Sequence, residues 1–492
     1  MADASPALRL REAGSLVCWR GWVFLPWAPR ADCARFGDHQ MPQDAPDEGF
    51  CLLRVLRDGF FLVFFCIDIA PGRHHPTFNI ARNYVATISR HITDNDNDKT
   101  NQQMKLMTRL SQVVLPVACA LGLVAASAKA APKPIKIGAL FSQTGPASFL
   151  GAPEAKTAQM LVEQINADGG LLGRKIELII KDTAGSPEKA VSFAKQLIEE
   201  EQVVAIIGPS TSGETMQIKP ICEENKMILA SCAAAEVIVN PLAKYVFKTP
   251  QKDSQAVIWI YRTMQQMPAG KISKIAVLSS NDGFGNAGKK QLEDLAKQYG
   301  IEILINEVYD RQATDLTDIL TKVKGTAGVQ AVVNWSIVPA QSIVAKNLRQ
   351  LGLDVPLFQS HGFGNRKYAE QAGVAAEGIL FPCGRLLVVD DLPEDHPQKK
   401  VLAAYKKNYE TRYKEDVSTF GGHAYDALTA VVAAIQKAGS TDRDLVRAAF
   451  ENISFAGTAG VFKYTPTDHT GLDLEAFEML TVKNGKFIIY KK

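Results

Sequence analysis

Short β-branched runs alternate with helical patterns along most of this chain, and that alternation limits its fold more than any other feature. The first four runs lie at residues 135–141, 175–181, 203–207 and 227–231, with helical patterns between them. Parallel strands need crossover connections, usually helices, so β-α-β-α order at short spacing is typical of a parallel sheet. The sequence therefore predicts an α/β fold with a doubly wound parallel sheet.

The pattern restarts after an extended segment at residues 245–250. Four more strands are expected, at residues 274–279, 301–308, 329–334 and 355–359. Beyond Pro382 the alternation weakens, and the remaining expected elements are helices and two closing strands, at residues 397–413, 422–438, 443–450, 477–482 and 487–490. Two α/β units in tandem predict a cleft that suits a small molecule and lobes that close on it.

Three consecutive hydroxyl residues, Ser210, Thr211 and Ser212, follow the predicted strand at residues 203–207 and precede a helix. Open α/β sheets bind ligands at the carboxyl ends of their strands, and helix N-termini favour anions. Serine and threonine are also ordinary N-cap residues. The turn therefore predicts either an anion site or a simple helix cap.

The first 103 residues lack a persistent helical or alternating period and do not resemble a folded domain. We interpret residues 1–103 as a non-native extension upstream of the true start; the alternative is a genuine N-terminal region, disordered or not. Residues 104–130 combine a charged start, an apolar stretch and a final Ala128-Lys129-Ala130. Those three parts, in that order, predict a secretory signal peptide and export.

Charge and cysteine content exclude several classes of function. The net charge of +3 gives no reason to expect nucleic-acid binding. The cysteines after residue 130 are Cys222, Cys232 and Cys383, an odd number that allows at most one disulfide, with Cys222–Cys232 the sequence-near pair and buried thiols the alternative. The histidines after residue 130 are dispersed, so no metal site is predicted.

One motif favours an enzyme. Residues 283–288 read Gly-Phe-Gly-Asn-Ala-Gly after a predicted strand, and Glu302 or Glu307 follows about twenty residues on, as in a dinucleotide-binding fingerprint. The motif lies in the second α/β unit rather than the first, and it also fits an ordinary glycine-rich turn between strand and helix. A nucleotide-dependent enzyme therefore stays a rival hypothesis.

Five segments resemble the type I periplasmic substrate-binding proteins of branched-chain amino acid ABC transporters. They are residues 137–146, 165–174, 206–212, 245–249 and 348–352. The resemblance implies two doubly wound lobes joined by a three-strand hinge, a Venus-flytrap fold. It implies that residues 131–249 and about 382–457 form lobe 1, and that residues 250–381 and about 458–492 form lobe 2.

The family resemblance also implies the ligand site. A ligand carboxylate would meet the turn Ser210–Ser212, with Ser212 as the principal serine, and the loop containing Ala233 and Ala235. Aromatic and apolar side chains would line the rest of the cleft: Phe149, Leu150, Phe284, Trp335 and Phe420.

Two positions depart from the amino-acid-binding pattern. Ala235 stands where such proteins carry a threonine, and His361 stands where they carry the glutamate that binds the ammonium group. A buried ammonium without its carboxylate costs several kcal/mol, whereas a histidine can donate to an anion or a carbonyl oxygen. The ligand hypothesis is an aromatic or apolar organic acid, with a branched-chain amino acid as the second choice.

The resemblance implies a periplasmic, monomeric binding protein that delivers a small carboxylate to ABC permease subunits. No catalytic residues, cofactor, metal, nucleic acid or stable membrane insertion of the mature chain are expected. The other rival is a ligand sensor with the same fold, and the predicted export signal argues against a cytosolic regulator.

Overall fold

The computed structural model describes residues 132–491 and six short strands upstream. The chain forms two compact units, residues 1–129 and residues 130–492. The upstream strands pair in antiparallel fashion as β1–β2–β3–β4 and β5–β6. Their bounds are Val17–Trp19, Trp22–Pro26, Phe50–Leu56, Gly59–Phe61, Val63–Phe64 and Tyr84–Val85. The predicted signal peptide and the other residues of the predicted extension lie outside the described residues.

The first sheet has five parallel strands in the order β8–β7–β9–β10–β11. In chain order they are β7 (Ile135–Phe141), β8 (Ile176–Asp182), β9 (Ala205–Ile207), β10 (Ile228–Ser231) and β11 (Val246–Lys248). The direction of winding reverses between β7 and β9, which is the position where ligands bind to open α/β sheets.

The second sheet repeats that order and adds two antiparallel strands, giving β13–β12–β14–β15–β16–β19–β20. Its winding reverses between β12 and β14. The strands are β12 (Lys274–Ser280), β13 (Glu302–Tyr309), β14 (Ala331–Trp335), β15 (Leu357–Gln359), β16 (Leu380–Cys383), β19 (Glu478–Lys483) and β20 (Lys486–Ile489). The predicted doubly wound α/β class is confirmed.

Eleven α-helices cover the two sheets within residues 132–491. Those before the first hinge crossing are α1 (Ser148–Ala167), α2 (Pro187–Glu199) and α3 (Ser212–Glu224). Those of the second lobe are α4 (Asp253–Met264), α5 (Gly283–Ala296), α6 (Thr317–Gly325), α7 (Ala340–Gln350) and α8 (Arg366–Ala372). The last three are α9 (Lys399–Tyr413), α10 (Thr419–Ala438) and α11 (Arg443–Phe450).

The chain crosses between the lobes three times, near Pro250, Gly384 and Phe477. Gln251 on the first crossing donates from Nε2 to the carbonyl oxygens of Ala459 at 2.8 Å and Ala476 at 3.2 Å. Arg385 on the second crossing donates to the carbonyl oxygen of Glu475 at 2.6 Å. These bonds join the three crossings into one hinge.

The chain returns to the first lobe after β16, because α10 and α11 pack into the same core as β7 and β9. Phe462, Tyr464 and Leu472 also belong to that core. They follow the small antiparallel pair β17 (Ser454–Ala456) and β18 (Val461–Lys463) or lie in it. The last crossing therefore falls nearer residue 476 than the predicted boundary at about 458.

Candidate functional site

The lobes are in contact along the cleft between them. Asn365 of the second lobe donates from Nδ2 to the carbonyl oxygen of Phe149 in the first, at 3.0 Å. A Cβ placed on Gly283, at the start of α5, would lie 2.7 Å from the backbone nitrogen of Gly213 in α3. A side chain at position 283 would not fit against Gly213, so the two lobes are closed on each other in the described arrangement.

A cavity enclosing about 310 Å³ of unfilled space, part of it open to solvent, lies between the lobes. Its polar side chains are Ser210, Ser212, His361 and His423. The other lining residues are apolar, small or sulfur-bearing: Leu150, Cys232, Ala233, Ala234, Pro250, Phe284, Ile337, Gly362 and Phe420.

The hydroxyl turn lies at the winding reversal of the first sheet, directly after β9. Gly208 opens the turn with φ +84°, and a Cβ there would lie 2.2 Å from the carbonyl oxygen of Leu140. Thr211 is the N-cap of α3, where its side chain and that of Glu214 form a reciprocal capping box. Because Thr211 alone caps the helix, Ser210 and Ser212 are left to face the cavity.

The two cavity serines have different hydrogen-bond partners. Ser212 Oγ accepts from the backbone N–H of Ala235 at 3.2 Å, so its own proton is available to a ligand. Ser210 Oγ accepts from the backbone N–H of Ser142 at 3.0 Å and is also bonded to the carboxyl of Glu154. Ser142 follows β7, so both strands at the reversal contribute to the anion site.

Two buried carboxyl groups lie behind the turn. Burial raises the pKa of Glu154 well above its ordinary value, and the nearby charge of Glu214 acts in the same direction. Burial also raises the pKa of Glu214, against the effect of hydrogen bonds from hydroxyls that include Ser142 Oγ at 3.0 Å. The hydroxyl turn is therefore backed by two carboxyl groups whose burial favours the protonated form.

His361 comes from the second lobe, in a short 3-10 helix (His361–Phe363) directly after β15. Its ring lies 5.2 Å from that of Phe284 and 5.5 Å from that of Trp335, both edge-on. Neither ring nitrogen has a hydrogen-bond partner among residues 132–491, and Asp253 Oδ1 is 3.8 Å from Nε2. Burial lowers the pKa of His361 well below its ordinary value, so the ring is neutral and one nitrogen can donate to a ligand.

Two buried side chains of opposite charge type, Lys248 and Asp253, lie near His361. Lys248 Nζ donates to the carbonyl oxygens of Pro250 at 2.9 Å and Gln251 at 3.0 Å. Burial lowers the pKa of Lys248 and raises that of Asp253, while each charge favours the charged form of the other. Both side chains are fully buried and neither lines the cavity, so they support the hinge rather than present a charge to a ligand.

The glycine motif of residues 283–288 has a packing role at each of its three glycines. Gly283 contacts Gly213 as described above. A Cβ on Gly285 would lie 1.9 Å from the carbonyl oxygen of Ser280, and one on Gly288 would lie 2.0 Å from Trp335 Nε1. Close helix packing against β12, β14 and the other lobe therefore accounts for the spacing that resembles a dinucleotide fingerprint.

α10 supplies the remaining part of the cavity from the first lobe. Phe420 and His423 are three residues apart on this helix and so share one face. His423 Nδ1 is buried and has no hydrogen-bond partner among residues 132–491. Burial lowers the pKa of His423 to about 3, which keeps the ring neutral. The cavity therefore holds two neutral imidazoles, one from each lobe.

A family model described as periplasmic binding protein matches residues 134–486 of this chain. The chain belongs to the periplasmic binding protein family. Proteins of this family are solute-binding proteins, and the resemblance recognised from the sequence is confirmed.

Individual relatives of this periplasmic binding protein cover nearly the same part of the chain. The leucine-, isoleucine-, valine-, threonine-, and alanine-binding protein of Pseudomonas aeruginosa is 28% identical over 74% of this chain and 92% of its own length. An extracellular ligand-binding receptor from Rhodopseudomonas palustris HaA2 has a TM-score of 0.68 at 27% identity, covering 73% of this chain and 99% of that one. The substrate-binding protein LivJ from Streptococcus pneumoniae, solved with isoleucine, has a TM-score of 0.63 at 25% identity over 72% of this chain and 97% of that one.

Seven of the eleven residues predicted for the site of this periplasmic binding protein line its cavity: Ser210, Ser212, Ala233, Leu150, Phe284, His361 and Phe420. Four do not. Thr211 caps α3, and Ala235 supports Ser212 through its N–H. Phe149 packs on the ring of Tyr368 at 5.2 Å, and Trp335 is fully buried behind Phe284, at 5.7 Å.

Two functional candidates were missed in the sequence, Glu154 and His423. Each lies on a helix face that is otherwise apolar or small. Glu154 falls on the α1 face that also buries Gly151, Ala155 and Ala158, while His423 follows Phe420 by one turn. An ionisable residue on a buried helical stripe was the available signal.

Several features are absent from the part of the chain that the structure describes. Cys222, Cys232 and Cys383 are buried free thiols there. Of the two possibilities that the sequence left open, a Cys222–Cys232 disulfide or buried thiols, the structure has buried thiols. Within the same residues, side chains of the metal-binding types do not group in threes. Nor is any helix in this part both apolar and long enough to cross a bilayer.

Acid is expected to destabilise the protein through His423. Its folded pKa of about 3 lies below the ordinary value of 6.5, so the unfolded state takes up a proton first and stability falls as pH decreases below about 6.5. At pH 5 this costs about 2 kcal/mol. Urea unfolding at pH 7 and pH 5 should show that the free energy of unfolding falls less between these pH values in His423→Gln than in the wild type. His396→Gln, which removes a less buried ring, should keep most of the acid sensitivity.

Proposed function

We propose that this protein captures a small carboxylate in the cleft between its lobes and delivers it to an ABC transporter in the periplasm. The ligand is an aromatic or apolar organic acid without an α-amino group. A branched-chain amino acid, the ligand class in the names of the relatives, is the alternative.

The observation that carries this ligand class is the lack of an acidic side chain among the residues that line the cavity. An ammonium group buried there would have no carboxylate partner and would cost several kcal/mol. Asp253 Oδ1 lies 3.8 Å from His361 Nε2, but Asp253 is fully buried, in the field of Lys248. Glu154, which is bonded to Ser210, is also fully buried, and neither carboxyl lines the cavity.

The polar groups of the cavity suit an anion. Ser210 and Ser212 are hydroxyl donors at the N-terminus of α3, where backbone N–H groups and the helix dipole also favour negative charge. Phe284, Phe420 and Leu150 surround the remaining space with apolar surface. A carboxylate at the serines with a flat or branched apolar body satisfies both halves of the cavity.

Closure of the two lobes on the ligand is the conformational change that distinguishes the bound protein from the free protein. The carboxylate binds to the first lobe, and His361 and Phe284 cover it when the second lobe closes. A ligand shifts the lobes toward the closed state only by the difference between its affinities for the two states. Contacts from both lobes provide that difference.

Isothermal titration calorimetry with benzoate and with leucine tests the ligand class. We expect heat of binding from benzoate and little or none from leucine. Tight leucine binding without benzoate binding would assign the protein to the amino-acid class and refute the role given to His361. His361→Glu serves as a further variant, because it restores a carboxylate and should shift preference toward leucine.

Replacing Ser212 with alanine should weaken binding of the acid that titrates the wild type by roughly 1–3 kcal/mol, because a hydrogen bond to a charged carboxylate is lost. The matched control is Thr211→Ala, which removes the neighbouring hydroxyl that caps α3. That variant should lose about 1 kcal/mol of stability and keep its affinity. Equal affinity of Ser212→Ala and wild type would return Ser212 to a purely structural role.

A further inference from the structure

We propose that Glu154 is a positioning residue of the carboxylate site: its protonated carboxyl donates a hydrogen bond to Ser210 Oγ, which frees the Ser210 proton for the ligand. This inference rests on the proposed function in one respect, that the ligand presents a carboxylate to the hydroxyl turn. It goes beyond that function because it makes binding of the anion depend on the proton of the Glu154 carboxyl in the first lobe.

The hydrogen-bond capacity of Ser210 carries the argument. A hydroxyl has one proton to donate and two positions that accept. The backbone N–H of Ser142 occupies one accepting position at 3.0 Å. An ionised Glu154 would take the hydroxyl proton, whereas a protonated Glu154 fills the second accepting position. Only the protonated form leaves Ser210 with a donor that points at the cavity.

The burial of Glu154 favours that protonated form. Its side chain is fully buried, and Oε1 has no hydrogen-bond partner among the described residues. A buried carboxylate without a cation is costly, so such groups remain neutral. The pKa of Glu154 is raised by burial and by the charge of Glu214, and these effects outweigh the hydrogen bond with Ser210, which lowers it.

Among the described residues, no lysine or arginine is hydrogen-bonded to or paired with Glu154. Glu214 lies on α3 and Cys232 follows β10, and each interacts electrostatically with Glu154. Tyr405 on α9 is bonded to Thr157 of α1 at 2.8 Å. The buried titratable residues of α10, which packs along α1, are His423 and Asp426. His423 is held neutral, so the site offers no positive charge to an ionised Glu154.

The direction of the pH effect follows. Glu154 has a raised pKa, so its proton is present at low pH and is lost as pH rises through that pKa. Ionisation removes the Ser210 donor and sets a negative charge beside an incoming anion. Carboxylate affinity should therefore fall about tenfold per pH unit above the pKa of Glu154.

The first experiment compares Glu154→Gln with Glu154→Leu by calorimetry, using benzoate and leucine as probes from about pH 6 to about pH 9. An amide donates to Ser210 as a protonated acid does, so glutamine should rescue the affinity that leucine at this position loses, about tenfold. Glutamine should also abolish any alkaline loss of affinity seen in the wild type. Glu163→Gln, on the exposed face of the same helix, is the control and should keep the wild-type profile.

A second measurement needs no ligand. The infrared difference spectrum between wild type and Glu154→Gln at neutral pH should contain the carbonyl band of a protonated carboxyl. Absence of that band would overturn the proposal, as would equal loss of affinity in the glutamine and leucine variants. If neither probe binds the wild type, the proposed ligand classes fail while the infrared band still decides the state of Glu154.

Discussion

Alanine at Gly283 is expected to weaken carboxylate binding by about 10- to 100-fold without unfolding the protein. The added Cβ would lie 2.7 Å from the backbone nitrogen of Gly213 and 2.8 Å from its Cα, and neither atom can rotate away. Overpacking of this kind typically costs about 1–3 kcal/mol, and the middle of that range, about 1.4–2.7 kcal/mol, corresponds to about 10- to 100-fold in affinity. The cost falls on the closed state alone, because the two glycines separate when the lobes open.

The matched control for this substitution is Gly325→Ala in the same lobe. Gly325 ends α6, and a Cβ there would meet no atom within 4 Å. Calorimetry should show wild-type affinity for Gly325→Ala, and thermal unfolding without ligand should show similar stability for both variants. Wild-type affinity in Gly283→Ala would mean that the ligand-bound lobes do not come as close as described here.

Alanine at Asp426 is expected to destabilise the protein by about 3–5 kcal/mol, the largest stability change predicted for a single site. This fully buried carboxylate on α10 accepts from the N–H of Thr458 at 2.6 Å, the hydroxyl of Thr458 at 2.9 Å and the N–H of Ala459 at 2.8 Å. Removing it leaves three buried donors without a partner. Those donors lie in the segment that leads to the last hinge crossing.

Urea unfolding of the mature protein measures this loss directly. Asp442→Ala is the comparison, because Asp442 also accepts a backbone N–H, that of Leu445, but does so at an exposed helix N-cap. Removing the Asp442 cap should lower the free energy of unfolding by about 1 kcal/mol. Similar values for the two variants would show that the three bonds to Asp426 contribute little beyond an ordinary cap.

Local sequence patterns predicted the elements well where one side of an element is uniformly apolar. β7 occupies residues 135–141 as expected, and α11 occupies 443–450. The strand expected at 203–207 is shorter, starting at Ala205, although Val203 is buried in the same lobe. Buried β-branched residues that precede a strand look like the strand itself, since burial rather than pairing determines the residue type.

The sequence predicted which loops form the cavity better than it predicted which residues face the cavity. The loops follow from the winding order, because both sheets reverse next to their first strand. Side-chain direction depends on how each loop turns. Trp335 ends β14 but points under Phe284, while Ile337, two residues later, reaches the cavity. Ser212, the first residue of α3, lines the cavity.

No single stretch of the sequence indicated which distant segments would contact each other. Glu154 meets Ser210 across 56 positions in the sequence, and Asp426 meets Thr458 across 32. Each is an ionisable residue on a buried face, and such residues are rarely buried without a partner. The sequence therefore indicates that a partner exists, whereas only the fold determines which residue it is.

The unequal distribution of polar and apolar groups between the lobes separates capture from retention. Ser210 and Ser212, the proposed carboxylate contacts, line the cavity from the first lobe, whereas Phe284 and His361 line it from the second. Under the proposed function, we expect substitutions at the two serines to change mainly the rate of association, and substitutions at Phe284 and His361 to change mainly the lifetime of the complex. A changed second lobe can alter how long a ligand stays without altering how fast it arrives. Selectivity among acids that share a carboxylate is therefore exercised through residence time.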